Sequence, residues 1–316
     1  MNIVVTGALG HIGSKLIRTI PSDLPDTALT LIDNLSTQRY CSLFQLPEGA
    51  RYRFIEGDIL DMELGGIFSD AEAVIHLAAI TNAEASFDNP DQVERVNFGG
   101  AERVALACAA ARRPMVFVST TSVYGTQAEW VDESCPERDL KPQSPYAESK
   151  LRAERRLAEL AKTDGLRCAI LRFGTICGTS PGMRFHTAIN KFCWQAVMKQ
   201  PITVWRTALH QRRPYLDLSD ACAALSFVLK HHVFDGRVYN VVTENLTVDE
   251  VLARVRDATG DAQIEEVDAQ IMNQLSYEVR CDRILHLGFR PTGNISRGIR
   301  ETVEWIRVCN SIAVRV

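Results

Sequence analysis

The chain has no run of like charges, no low-complexity linker, no internal repeat and no long apolar stretch. Each absence excludes something. The net charge is -4 over 316 residues with both signs interspersed, so no basic surface for nucleic acid and no acidic or basic tail is expected. A membrane-spanning helix needs about 20 consecutive apolar residues, and none occurs. The chain enters the apolar run Ile3-Val4-Val5 without a basic leader, which predicts neither a signal peptide nor a membrane anchor and places the protein in the cytoplasm. Nine cysteines are scattered at 41, 108, 135, 168, 177, 193, 222, 281 and 309, an odd count without any Cys-x-x-Cys. That pattern predicts reduced thiols rather than disulfides or zinc, and no metal site. What the chain has in quantity is apolar sequence: 46% of its residues are hydrophobic, enough for a large core.

Short apolar runs alternate with helical periodicity. Strands are predicted at 2–6, 28–33, 52–56, 73–77, 114–119 and 167–173, and helices at 11–20, 91–111 and 146–162. The strands lack strict alternation, as expected when both sheet faces are covered. Strand–helix–strand alternation implies α/β architecture with a doubly wound parallel sheet and right-handed crossovers. After Gly178 a Gly/Pro/Ser stretch changes the rhythm. The reading is a first domain over 1–178 and a smaller lobe over 179–316, with strand 238–242 returning to the main sheet. Within the lobe, helices are expected at 187–199, 219–231, 248–259 and 295–308.

Three motifs carry chemistry. Gly7-x-x-Gly10-x-x-Gly13 follows a strand and opens a helix. Glycines there let backbone approach a pyrophosphate, and a helix N-terminus offers oriented N–H groups; a tight structural turn is the plainer explanation. Asp33 ends the next strand, where a carboxylate accepts hydrogen bonds from free ribose hydroxyls and repels a 2′-phosphate. NAD is therefore expected, with Arg39 leaving NADP as the alternative. Asp58 either receives an adenine amino group or caps a helix. Tyr146-Ala147-Glu148-Ser149-Lys150 puts a tyrosine and a lysine four apart on one helix face. A nearby ammonium stabilises phenolate and brings the tyrosine into acid–base range. Thr120 ends a buried strand at the ligand-binding edge of such a sheet, with Ser119, Thr121 and Ser122 as rivals.

These residues stand in a familiar order: the glycine loop, Asp33-Asn34-Leu35-Ser36, Asp58, His76-Leu77-Ala78-Ala79, Asn97, Thr120…Tyr124-Gly125, Ser144-Pro145-Tyr146-x-x-x-Lys150 and Leu171-Arg172. Together they resemble the extended short-chain dehydrogenase/reductase family, its NAD-dependent epimerase/dehydratase group, near the sugar-nucleotide epimerases of the UDP-galactose 4-epimerase kind. The resemblance covers residues 1–178 and implies a Rossmann-type fold. It implies Tyr146 as acid/base, Lys150 on the nicotinamide ribose and Thr120 on a substrate hydroxyl. It places His11, Ile12, Ile59, Leu77, Ala78, Ala79, Asn97 and Phe173 with the cofactor, and Thr81 and Thr121 with the substrate. It further implies a homodimer built on helices 91–111 and 146–162. Dehydratases of the family carry an Asp-Glu pair before Val-Tyr-Gly and decarboxylases a glutamate; this chain has Thr121-Ser122, which points to C4 epimerisation of a nucleotide sugar, with a dehydrogenase, reductase or atypical dehydratase as the alternative and a non-catalytic dinucleotide sensor as the remote one.

Beyond 178 the resemblance thins. Gln211-Arg212-Arg213-Pro214-Tyr215 is similar to a stretch whose arginine holds the substrate diphosphate, a role carried to Arg213, with a surface salt bridge as the plainer alternative. Thr175 replaces the usual asparagine. Arg206-Thr207-Ala208 replaces a Gly-Asp-Gly turn. The second phosphate-binding arginine is missing, and Arg280 or His186 is left to stand in for it.

Overall fold

The computed structural model describes residues 1–125, 129–268 and 277–313, without the side chains of 309–313. Its strands, in chain order, are β1 (Asn2–Thr6), β2 (Ala28–Asp33), β3 (Arg51–Glu56), β4 (Ala73–His76), β5 (Met115–Thr120), β6 (Trp130–Val131) and β7 (Cys168–Phe173). They continue with β8 (Thr175–Cys177), β9 (Ile202–Trp205), β10 (Arg212–Asp217), β11 (Val238–Val241), β12 (Glu244–Thr247), β13 (Ile264–Val267) and β14 (Glu278–Val279). The helices are α1 (His11–Asp23), α2 (Gly65–Ser69), α3 (Pro90–Glu94), α4 (Gly100–Ala111), α5 (Pro145–Thr163), α6 (Ala188–Val197), α7 (Leu218–Lys230), α8 (Val248–Thr259), α9 (Asp282–His286) and α10 (Ile295–Ala313).

The main sheet has seven strands in the order β11-β7-β5-β4-β1-β2-β3, parallel throughout. This is the Rossmann-type doubly wound sheet. Its central strands read as continuous apolar runs because alternate residues face two different cores. Ile3 and Val5, Val116 and Val118, and Ala169 and Leu171 pack with α1 and α7. Their neighbours Val4, Met115, Phe117, Cys168 and Ile170 pack with α4 and α5. A period of two is invisible when both faces are buried.

The chain after 178 feeds two layers. α7 and β11 complete the main sheet: α7 joins the core beside α1, and β11 pairs with β7. α6, α8 and α10 close a separate core around Ile189, Phe192, Val251, Val255, Ile299 and Val303. β8, β10 and β12 form a small sheet at the junction.

One expected helix is not uniform. The span 91–111 is α3, then a π-helical turn at Arg95–Gly99, then α4. The turn carries Asn97, whose side chain clamps the backbone of Ile80 from both sides: Oδ1 accepts from its N–H at 2.8 Å and Nδ2 donates to its carbonyl at 2.9 Å. Helix periodicity cannot signal a one-residue insertion that a tertiary contact fixes.

Candidate active site

The strand order reverses between β1 and β4, and a cleft opens at their carboxyl ends. Two contiguous hollows of about 290 and 310 Å³ occupy it. The first is built on the glycine loop. Gly7 has φ +68°, and a Cβ there would lie 2.5 Å from the Ala78 backbone nitrogen. A Cβ on Gly13 would lie 2.6 Å from the carbonyls of Gly7 and Ala8. Among the described residues no side chain caps the N-terminus of α1, so its first amides point into the hollow without a partner of the protein's own. Asp33 is oriented by two amides: Leu9 donates to Oδ2 and Leu35 to Oδ1, each at 3.0 Å. Arg39 lines the same hollow; burial lowers its pKa and the Asp33 carboxylate raises it. Asp58 accepts from Asn34 Nδ2 at 3.0 Å and from the Leu60 amide at 2.9 Å, so it braces a turn while lining the cleft.

This glycine floor, uncapped helix end and oriented carboxylate suit a dinucleotide. Gly7, Gly10, His11, Ile12, Gly13, Asp33, Asn34, Asp58, Ile59, Leu77, Ala78 and Ala79 all line the first hollow, as does Thr81. His11 also ties α1 to the chain beyond β8, with Nε2 3.0 Å from the Gly178 carbonyl.

The second hollow holds the acid–base group. Ser144 caps α5 by accepting from the Ala147 amide at 3.2 Å, and Pro145 follows at the first helical position. The cap fixes the first turn, from which Tyr146 and, one turn on, Lys150 enter the hollow beside Thr120. Lys150 Nζ donates to the Val118 carbonyl at 2.8 Å and lies 4.8 Å from the Phe117 ring centroid. Burial pulls its pKa down to about 7, against the nearby Glu154 carboxylate. Burial raises the Tyr146 pKa, while the Arg184 guanidinium and the Thr120 hydroxyl lower it. The cation acting on the tyrosine here is thus Arg184; Lys150 is turned toward a backbone carbonyl.

Behind Lys150 lies a buried ion pair. Arg172 reaches Glu154 Oε2 with Nη2 at 2.6 Å and Oε1 with Nε at 3.0 Å, and Ser119 donates to the same carboxylate at 2.5 Å. Ser119 is therefore committed to structure, while Thr120 accepts from the Ser122 amide and donates to its hydroxyl, both at 3.1 Å.

Several expected residues stand apart from these two hollows. Asn97 holds the backbone of Ile80 and donates to Ser149 at 3.2 Å; it lines neither hollow. Thr121 turns away: β5 ends at Thr120, the next three residues form a tight turn, and Ser122 takes the cleft side. The Thr121 carbonyl instead accepts from the Tyr277 hydroxyl at 2.9 Å. Arg213 lies outside both linings, with Nη2 on Gln211 Oε1 at 2.9 Å. Arg280 is also outside, its guanidinium stacked 3.9 Å from the Trp130 ring centroid after β14 pairs with β6. Phe173, Thr175 and His186 line the second hollow. Missed altogether were Glu84 and Arg184. Neither sits in a spaced motif; Arg184 follows the Gly/Pro/Ser stretch that reads as a lobe boundary.

Comparison with known proteins agrees with this geometry. Residues 3–242 match the model of the NAD dependent epimerase/dehydratase family. A dTDP-glucose 4,6-dehydratase of Streptomyces niveus is 30% identical over 322 residues, 97% of this chain and 93% of that protein. An uncharacterized UDP-glucose epimerase of Bacillus subtilis (strain 168) is 29% identical over 97% of this chain and 98% of its own. The crystal structure of the Thermus thermophilus UDP-glucose 4-epimerase complex with NAD superposes with a TM-score of 0.83 at 25% identity, covering 97% of this chain and 99% of that one.

Proposed function

The chain belongs to the NAD dependent epimerase/dehydratase family, and from the make-up of its reaction centre we propose that it is an NAD-dependent sugar-nucleotide epimerase acting at C4 of a hexose. The observation that carries this reading is the shortage of carboxylates. The positions after Thr120 are Thr121 and Ser122, and of the two only Ser122 faces the hollow, whose one lining carboxylate among the described residues is Glu84. Eliminating water from a sugar requires a base for a C–H proton and an acid for the leaving hydroxyl. Moving a hydride requires only one proton carrier.

Bound NAD supplies reversible hydride acceptance. Tyr146 takes the proton of the C4 hydroxyl and later returns it. Thr120, linked to Ser122, orients that hydroxyl. Lys150, held by the Val118 carbonyl, fixes the strand end and places a cation beside the ribose. The flanking apolar groups, Ile12, Leu77, Ala79 and Phe173, exclude water from the exchange.

A 4,6-dehydratase is the second reading, favoured by the Streptomyces niveus relative and by Glu84. Incubating the purified protein with UDP-glucose and dTDP-glucose and following the products by NMR separates the two. The C4 epimer without net NADH supports the proposal. A 4-keto-6-deoxy sugar would replace it with the dehydratase, and one NADH per turnover with a dehydrogenase. Tyr146→Phe should lower kcat by at least about 10²-fold with NAD binding intact; near-normal turnover would refute the mechanism.

A further inference from the structure

The proposed mechanism gives Arg184 no contact with the substrate. Of the described side chains lining both hollows, Arg184 is the only charged one. Its segment is stapled from both ends. The Gly182 amide donates to Ser14 Oγ at 2.9 Å, and a Cβ on Gly182 would lie 2.3 Å from the Leu9 carbonyl. Asn190 Nδ2 donates to the Arg184 carbonyl at 3.0 Å and Asn190 Oδ1 accepts from the Gly178 amide at 3.3 Å. The arginine is therefore built into the seam rather than draped over it.

The Arg184 Nε is buried and has no hydrogen-bond partner among the described residues; neither has the buried hydroxyl of Thr187, three residues on in the same lining. Burial lowers the Arg184 pKa to about 10 and Tyr146 opposes that, so the group remains a cation at neutral pH. A buried donor left without a partner is costly, and such groups concentrate where a ligand completes them. The substrate hollow sets two cations, Lys150 and Arg184, against Glu84. A guanidinium fork matches a carboxylate bidentately.

We propose that Arg184 is a specificity residue for an anionic hexose: the sugar ring carries a C6 carboxylate, a uronate, which the guanidinium receives with the Thr187 hydroxyl beside it. The inference rests on the reading of the cleft as a sugar-nucleotide site. Position selects the carboxylate over the two phosphate pairs. The cofactor pyrophosphate belongs at the uncapped amides of α1. The substrate diphosphate hangs from C1, across the ring from the C4 hydroxyl that Tyr146 serves, whereas C6 is attached to C5, next to C4. Arg184 and Thr187 line the second hollow together with Tyr146 and Lys150, which puts the guanidinium at the reacting end.

UDP-glucuronate and UDP-glucose differ only at C6, so calorimetric titration of the NAD-loaded full chain with each tests the assignment. A charge-assisted hydrogen bond corresponds to about ten- to a hundredfold in affinity, and UDP-glucuronate should bind more tightly by at least the lower figure. Arg184→Gln should bring the two ligands to within about threefold, and Arg184→Lys, which keeps the charge without the fork, should fall between. Equal binding of the two sugars by the wild type, or binding of neither, overturns the proposal. So does an Arg184→Gln variant that weakens both sugars alike, which would make Arg184 a diphosphate clamp, or one that loses NAD affinity, which would assign it to the cofactor. Should the variants fail to fold, the wild-type ratio decides alone. Preferential UDP-glucuronate binding without epimerisation would keep this inference and sink the reaction proposed above; epimerisation of both sugars without preference would do the reverse.

Discussion

Acidification should unfold this protein through two histidines. His76 is 1% exposed and His11 2%. His76 shares a 2.7 Å hydrogen bond between Nδ1 and the Thr6 hydroxyl, stacks on Phe117, and leaves Nε2 buried without a partner among the described residues. His11 bonds the Gly178 carbonyl and leaves Nδ1 in the same state. Burial pulls both pKa values down to about 3, with Arg184 adding to the effect at His11 and Lys150 at His76. The folded values lie below the unfolded one, so the unfolded chain binds more protons in between. The stability of the neutral form is complete above pH about 6.5 and is lost as pH falls toward 3. At pH about 5 linkage gives roughly 2 kcal/mol per histidine, a figure that hardly changes if the folded value is a unit higher. The pair together costs roughly 4 kcal/mol, a large share of the 5–15 kcal/mol typical of a folded protein. Urea denaturation at constant ionic strength between pH about 7.5 and 5 measures it. His76→Gln and His11→Gln should each remove about half of the slope, whatever they do to the stability at neutral pH. A wild-type loss below about 1 kcal/mol over that interval would refute the argument, as would unchanged slopes in both variants.

Three further outcomes follow from the geometry. Gly13→Ala places a methyl 2.6 Å from two backbone carbonyls that cannot retreat, so NAD affinity measured by fluorescence titration should fall by more than about tenfold. The wild type should bind NAD more tightly than NADP because Asp33 faces the ribose, and Asp33→Ser should narrow the gap since Arg39 is then free to meet a phosphate; equal affinities in the wild type would defeat the assignment. Glu154→Gln leaves Arg172 buried beside a neutral amide and should cost about 3 kcal/mol in chemical denaturation; Glu154→Gln combined with Arg172→Met should recover part of that loss.

The central strands were legible because they are apolar runs bounded by turn residues, and the glycine loop because its pattern is local. Gly10 and Gly13 face the carbonyls of their own loop, Gly7 the backbone of Ala78, and Tyr146 and Lys150 are one helical turn apart. Expected residues stand apart from the hollows where side-chain direction depends on distant chain. Thr121 and Ser122 are equivalent as letters; the tight turn after β5 and the hydroxyl of Tyr277, 156 residues on, send one inward and the other to the cleft. Asn97 looks like a ligand residue because of its place in a family pattern, but the π-turn aims it at the backbone of Ile80. Arg213 and Arg280 stand outside the two hollows, one bonded to Gln211 and the other stacked on the Trp130 ring.

The sequence by itself marked the central strands, the glycine loop and the Tyr146–Lys150 pair, because each is written in residues within a few positions of one another. Only the tertiary structure decided which cation stands beside Tyr146. Arg184 is 38 residues away along the chain and enters the cleft because Gly182, having no side chain, packs against the carbonyls of Leu9 and Gly10. No local spacing encodes that approach; it exists once α1 and the segment after β8 are folded onto one another.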